Sequence, residues 1–165
     1  MEKIASKDIE KIVKKMNSIS KGDAVSLTGL MRKEQPAVLN FLTGVGGPAL
    51  NEEEREWVIF LGITIWQIFE QARAPFPEVK SEMLDNAAVQ TAQLVSYLKD
   101  ESEDGFRYTI SKVLEGYHQP ELLSYIVGAL GVAQQEERKI RDYNMTIVFF
   151  FLKILIDCFD KACGE

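Results

Sequence analysis

The chain has 165 residues, of which 46% are apolar, 10% aromatic and 27% charged; this composition excludes disorder, a collagen-like chain and a disulfide scaffold. Its 25 acidic against 19 basic side chains leave a net charge of −6, which speaks against nucleic acid, because polyphosphate binding draws on clustered Lys and Arg to displace counterions. The excess is one-sided: residues 1–80 carry 11 basic and 11 acidic groups, residues 81–165 carry 8 and 14.

Few stretches read as strands; Gly and Pro separate segments with a period near 3.6. A first helix is expected over Ser6–Asn17 with Ser6 as its N-cap. Ile4, Ile9, Ile12, Val13 and Met16 are spaced for one helix face and not for a secretion signal, and Lys3, Lys7, Lys11, Lys14, Lys15 and Lys21 form a solvated face. A short helix follows near Asp23–Arg32, then one entered through Pro36, where a missing N–H costs nothing. That third helix should stop in the glycines between Gly44 and Pro48. Asn51 then caps a long helix to about Ala72, whose first turn, Glu52-Glu53-Glu54, complements the helix dipole. Pro75 and Pro77 break the chain before a helix that ends near Lys99. Further helices are expected over Phe106–Glu115, from Pro120, and from Glu136 to Ala162.

Two segments raise the membrane question: Trp57–Phe69 and Met145–Phe159. Both are shorter than the roughly 18–20 apolar residues of a spanning helix, and Lys153 and Asp157 sit inside the second. Buried core helices of a cytoplasmic protein, with no membrane partner, are the expectation. Cys158 and Cys163 are five apart, facing different ways on a continuous helix, so no disulfide is expected between them.

Internal similarity is the most informative pattern. Placing Gln35–Gly46 over Gln119–Leu130, a shift of 84, matches Gln35 with Gln119, Pro36 with Pro120, Leu39 with Leu123 and Gly44 with Gly128. A shift of 86 then sets Arg55 over Arg141, Glu56 over Asp142, Trp57 over Tyr143 and Ile68 over Ile154. The expected fold is therefore all-α: about eight helices as a tandem duplication of a four-helix unit, repeat-like or bundle-like, with the long apolar fourth helices paired at the centre. The halves, 1–80 and 81–165, would pack as one compact domain. The likeness to helical-repeat proteins is architectural and transfers no site.

In the last helix Phe150 takes the place of Thr64 in a narrow polar stripe, which predicts a large aromatic at its solvent edge. With Phe149, Lys153 and Asp157 it forms the candidate self-association surface of a homodimer, because exposed apolar patches mark contacts; cover by another helix of the same chain is the competing reading.

The chemical motifs are weak. Asp100–Gly105 opens like a calcium loop, but Ser111 stands where a bidentate Glu must close it. Glu115 and His118 have the spacing of a di-iron ligand pair without the required second copy, so no metal is expected. His118 is the only histidine and no serine stands in a nucleophile elbow. Gly44–Gly47 lacks the lysine of a phosphate loop and feeds an acidic helix start. Glu52, Glu53, Glu54 and Glu56 are expected to be wet, and Trp57 and Trp66, on opposite faces, to be packing anchors. No catalytic residue and no cofactor are assigned. The leading expectation is a non-catalytic interaction or scaffold protein with a protein or peptide partner. The alternative is a carrier of a small apolar ligand held between the long helices by Phe60, Ile63, Phe149 and Leu152.

Overall fold

The computed structural model describes residues 2–44, 47–99, 108, 111–112, 114–135, 139–141 and 144–164. Among these residues there is no strand, and seven α-helices are formed: α1 (Ser6–Asn17), α2 (Lys21–Glu34), α3 (Pro36–Gly44), α4 (Glu52–Ala72), α5 (Ser81–Lys99), α6 (Pro120–Gln135) and α7 (Met145–Gly164). The helix expected over Phe106–Glu115 falls largely outside the described residues, as does the loop Asp100–Gly105.

Local chemistry sets most helix ends. Asn51 Oδ1 accepts from Glu54 N at 2.8 Å and Glu54 Oε2 accepts from Asn51 N at 2.9 Å, a reciprocal cap at the start of α4. Ser20 caps α2 by accepting from Asp23 N at 3.1 Å. Pro36 opens α3 and Pro120 opens α6. The expectation for Ser6 is corrected: Ala5 stands at the cap of α1 without a side-chain bond, and the Ser6 hydroxyl donates to Glu121 Oε2 at 2.6 Å, tying α1 to α6.

The last helix is also corrected. It starts at Met145 and not at Glu136, and Lys139–Arg141 is non-helical. Arg141 N and Nε both donate to Glu54 Oε1, each at 2.9 Å, so this stretch is pulled across to the start of α4. Arg55, in the first turn of α4, is therefore not matched by a helical Arg141.

The core lies where α4 packs on α7. Each has a flanking set: α1 and α3 pack on α4, α5 and α6 on α7, while α1 touches α6, α3 touches α5, and α2 lies on α3 and α4. Phe69 of α4 meets Phe159 of α7 edge-on at 5.5 Å, and Phe76 meets Phe159 at 5.1 Å. α3 approaches α4 closely at Gly62, where an added Cβ would stand 2.5 Å from Leu42 Cδ1.

Two buried glutamines fasten the helices together. Gln35 Oε1 accepts from Val79 N at 2.9 Å and its Nε2 donates to Pro77 O at 3.0 Å. Gln119 Oε1 accepts from Ile4 N at 2.9 Å and its Nε2 donates to Glu2 O at 3.2 Å. Each glutamine thus satisfies the N–H of one residue and the C=O of the residue two before it, in an irregular stretch just ahead of α5 or α1. Buried backbone groups need such partners.

Candidate interaction groove

Three helices contribute matching stripes to one surface groove of about 970 Å³. α4 supplies Glu53, Glu56, Trp57 and Phe60. α6 supplies Tyr125, Gly128, Ala129 and Val132. Both sets follow the i, i+3, i+4, i+7 spacing of a single helix face. α1 and its exit close the third side with Val13, Met16, Asn17 and Ile19, and Lys139 stands at the end. Gly128 and Ala129 keep the α6 wall low; a Cβ added at Gly128 would meet nothing within 4 Å.

The aromatic part of the groove is flat. Trp57 and Phe60 stack with centroids 5.1 Å apart and planes 8° from parallel, and Lys139 Nζ lies 4.5 Å from the Trp57 ring centre. The Trp57 Nε1–H is buried and has no hydrogen-bond partner among the described residues. Burial pushes the Tyr125 hydroxyl up to about 12, so it is neutral at ordinary pH. Val132 of this wall is exposed, and Val127 is exposed on another face of α6. Trp57 is thus a wall of an open groove, while Trp66 is fully buried.

Polar clusters nearby serve the fold. Glu54, expected to be wet, is 0% exposed. Arg141 Nη2 donates to its Oε2 at 2.8 Å, and Asn144 Nδ2 donates to the same atom at 2.9 Å. The side-chain bonds from Arg141 hold its carboxyl down at about 2, against the opposing effect of burial, with backbone N–H groups and Asn144 adding to the effect. Asp157 accepts from Tyr117 Oη and from Lys153 Nζ, each at 2.6 Å. Burial and Asp157 together push the Tyr117 hydroxyl well above its usual range.

The residues singled out from sequence are dispersed. Phe150 is 7% exposed instead of standing at the solvent edge, and meets Phe149 edge-on at 5.3 Å. Phe149 packs partly buried against the core, and the Lys153 side chain is 12% exposed. Of the four carrier residues, Phe60 lines the groove, whereas Ile63 and Leu152 lie in the packed core. Glu115 Oε2 pairs with Lys112, and His118 Nδ1 lies 2.6 Å from Asp160 Oδ2. Among the described residues no group of three or more His, Cys, Asp or Glu is arranged to hold a metal ion, and no helix is long and apolar enough to cross a membrane. Cys158 and Cys163 are free and buried; burial pushes the Cys158 thiol up to about 12 and raises that of Cys163.

Tyr125, Gly128, Val132 and Lys139 were not singled out as a site in the sequence. The stripe from Tyr125 to Val132 was visible there, but only the packing of α1, α4 and α6 makes it one side of a groove. Comparison with family models, with curated proteins and with solved structures gives no match.

Proposed function

We propose that the chain is a non-catalytic interaction protein that receives an amphipathic helix of a protein partner in the α1–α4–α6 groove. The observation that carries this reading is the convergence of the Glu53–Phe60 and Tyr125–Val132 stripes on one open, low-walled surface. A helix laid in a groove buries its own apolar stripe against such walls. The cytoplasm is the compartment that fits two free, buried thiols. A non-catalytic role fits the side chains that would do chemistry: Glu54, Asp157 and Asp160 are all held by neighbouring protein groups.

The reading extends to the architecture. We take 1–80 and 81–165 as duplicated halves of one compact domain, with α4 and α7 as the equivalent long helices. The paired glutamine contacts support this, since each half's glutamine holds the stretch that leads into the other half's first helix. So does the parallel between α1 on α4 and α5 on α7. Self-association through Phe149, Phe150, Lys153 and Asp157 has less behind it, because Phe150 is covered and Lys153 and Asp157 bond to each other. An apolar-ligand carrier has less again, because its expected residues do not line a common space.

Selection from a displayed library of helix-forming peptides tests the groove. The expected result is enrichment of amphipathic sequences whose binding is lost in Gly128→Leu, which fills the groove from an open position. Failure to enrich such peptides, or binding untouched by Gly128→Leu, contradicts the reading.

A further inference from the structure

We infer that a second copy of this chain docks through two helix faces of opposite charge, α2 of one copy against α5 of the other. The inference is independent of the groove reading above. On α2, Lys21, Val25, Thr28 and Arg32 follow the i, i+4, i+7, i+11 spacing of one helix face. On α5, Glu82, Asp85, Val89 and Ala92 follow i, i+3, i+7, i+10, again one face. All of them except the half-buried Thr28 are exposed, and the two valines stand well out, Val25 at 73% and Val89 at 58%.

The charges on these faces are not used within the chain. Lys21, Arg32, Glu82 and Asp85 have no side-chain hydrogen bond or ion pair among the described residues. Lys21 and Arg32 border a hollow of about 560 Å³ that Glu56 also lines, and Glu56 pairs with neither, so the hollow keeps an excess of positive charge. Asp85 borders a second hollow, of about 440 Å³, beside Ala37 and Phe41 of α3. The net charge of −6 makes two copies repel at a distance, so a contact between them needs local opposite charge to form.

The two faces match in register. With Val25 laid on Val89 and the helices parallel, Lys21 falls opposite Asp85, each four residues before its valine, and Thr28 falls opposite Ala92, each three residues after it. With the helices antiparallel, Arg32 falls opposite Glu82, each seven residues from its valine. Either direction sets a cation against a carboxylate beside an apolar centre. Gly29, next to Val25 on the same face, leaves room for close approach, since a Cβ added there would meet nothing within 4 Å. Like faces repel, α2 on α2 and α5 on α5, so the contact joins unlike ones; a two-fold axis makes it twice and closes a dimer, and without one it continues as an open chain.

Sedimentation equilibrium of the full chain over a concentration series provides the test. The apparent mass is expected to rise with concentration, and the amides of residues 21–32 and 82–92 of the unmodified chain are expected to shift together as it does. Lys21→Glu with Arg32→Glu leaves a chain with two acidic faces, and Glu82→Lys with Asp85→Lys leaves one with two basic faces. Each is expected to associate about tenfold more weakly than the parent, because like charges now meet. An equal mixture of the two should regain the parent's association, since every α2 again finds an α5 of opposite charge. Far-UV circular dichroism checks that both variants keep the parent's helicity; where one does not, the amide shifts of the unmodified chain decide. A parent that stays monomeric throughout, association that shifts amides only outside these two stretches, or folded variants whose mixture stays dissociated overturns the contact.

Discussion

Glu54 leaves water while Glu52, Glu53 and Glu56 on the same helix start remain exposed. Its place three residues after Asn51 marks it for the reciprocal cap, but its burial comes from Arg141 and Asn144, about ninety residues away. Its carboxyl is held at about 2 against an ordinary 4.5. A depressed carboxylate stabilises the fold fully above its unfolded value, and that contribution drains away as pH falls through about 2. Glu54→Gln should therefore cost about 3 kcal/mol at neutral pH in urea unfolding, with the gap from the parent closing toward pH 2. Parallel stability curves for the two proteins would contradict the clamp. Phe150 presents the opposite case, a residue expected at the surface and found covered. Phe150→Asp should lower stability by about 3 kcal/mol or more, as a charge placed in an apolar site does. Dissociation of a dimer with unchanged stability would restore the self-association reading.

Helix ends set by local punctuation were legible in the sequence. The entry of α3 at Pro36, the Asn51 cap of α4 and the entry of α6 at Pro120 all follow from residues within a turn of the boundary. The start of α7 was not legible. The stretch from Glu136 to Arg141 is rich in good helix formers, yet Arg141 bonds through both its backbone and its side chain to Glu54, so a tertiary clamp overrides propensity. Glycines show a similar limit: in sequence Gly62 and Gly128 are both simply glycines inside a helix. Gly128 faces open space, so Gly128→Ala should gain about 1 kcal/mol from helix propensity. Gly62 meets buried Leu42, so Gly62→Ala should lose about 1–2 kcal/mol through overpacking despite the same propensity. Thermal unfolding of the two variants checks this; shifts of the same sign would contradict the close approach of α3 and α4.

Across the whole molecule, the all-helical fold could be read from periodicity, whereas the groove could not, because its three walls lie far apart in the chain. The repeated Gln-Pro pair was visible as a sequence match, but its role was not: Gln35 and Gln119 each hold an irregular stretch that precedes a distant helix. Gln119→Ala should leave Ile4 N–H and Glu2 C=O without their side-chain partner and cost about 2 kcal/mol, with faster hydrogen exchange at the Ile4 amide. Unchanged exchange there would remove the fastening role. The central claim is that the α1–α4–α6 surface receives a partner helix. Its most direct test is amide chemical-shift mapping of the isotope-labelled chain titrated with an amphipathic helical peptide selected against the groove. The account predicts perturbations concentrated at residues 13–19, 53–60 and 125–132; perturbations confined to the exposed face of α2 around Val25, or spread without a focus, would contradict it.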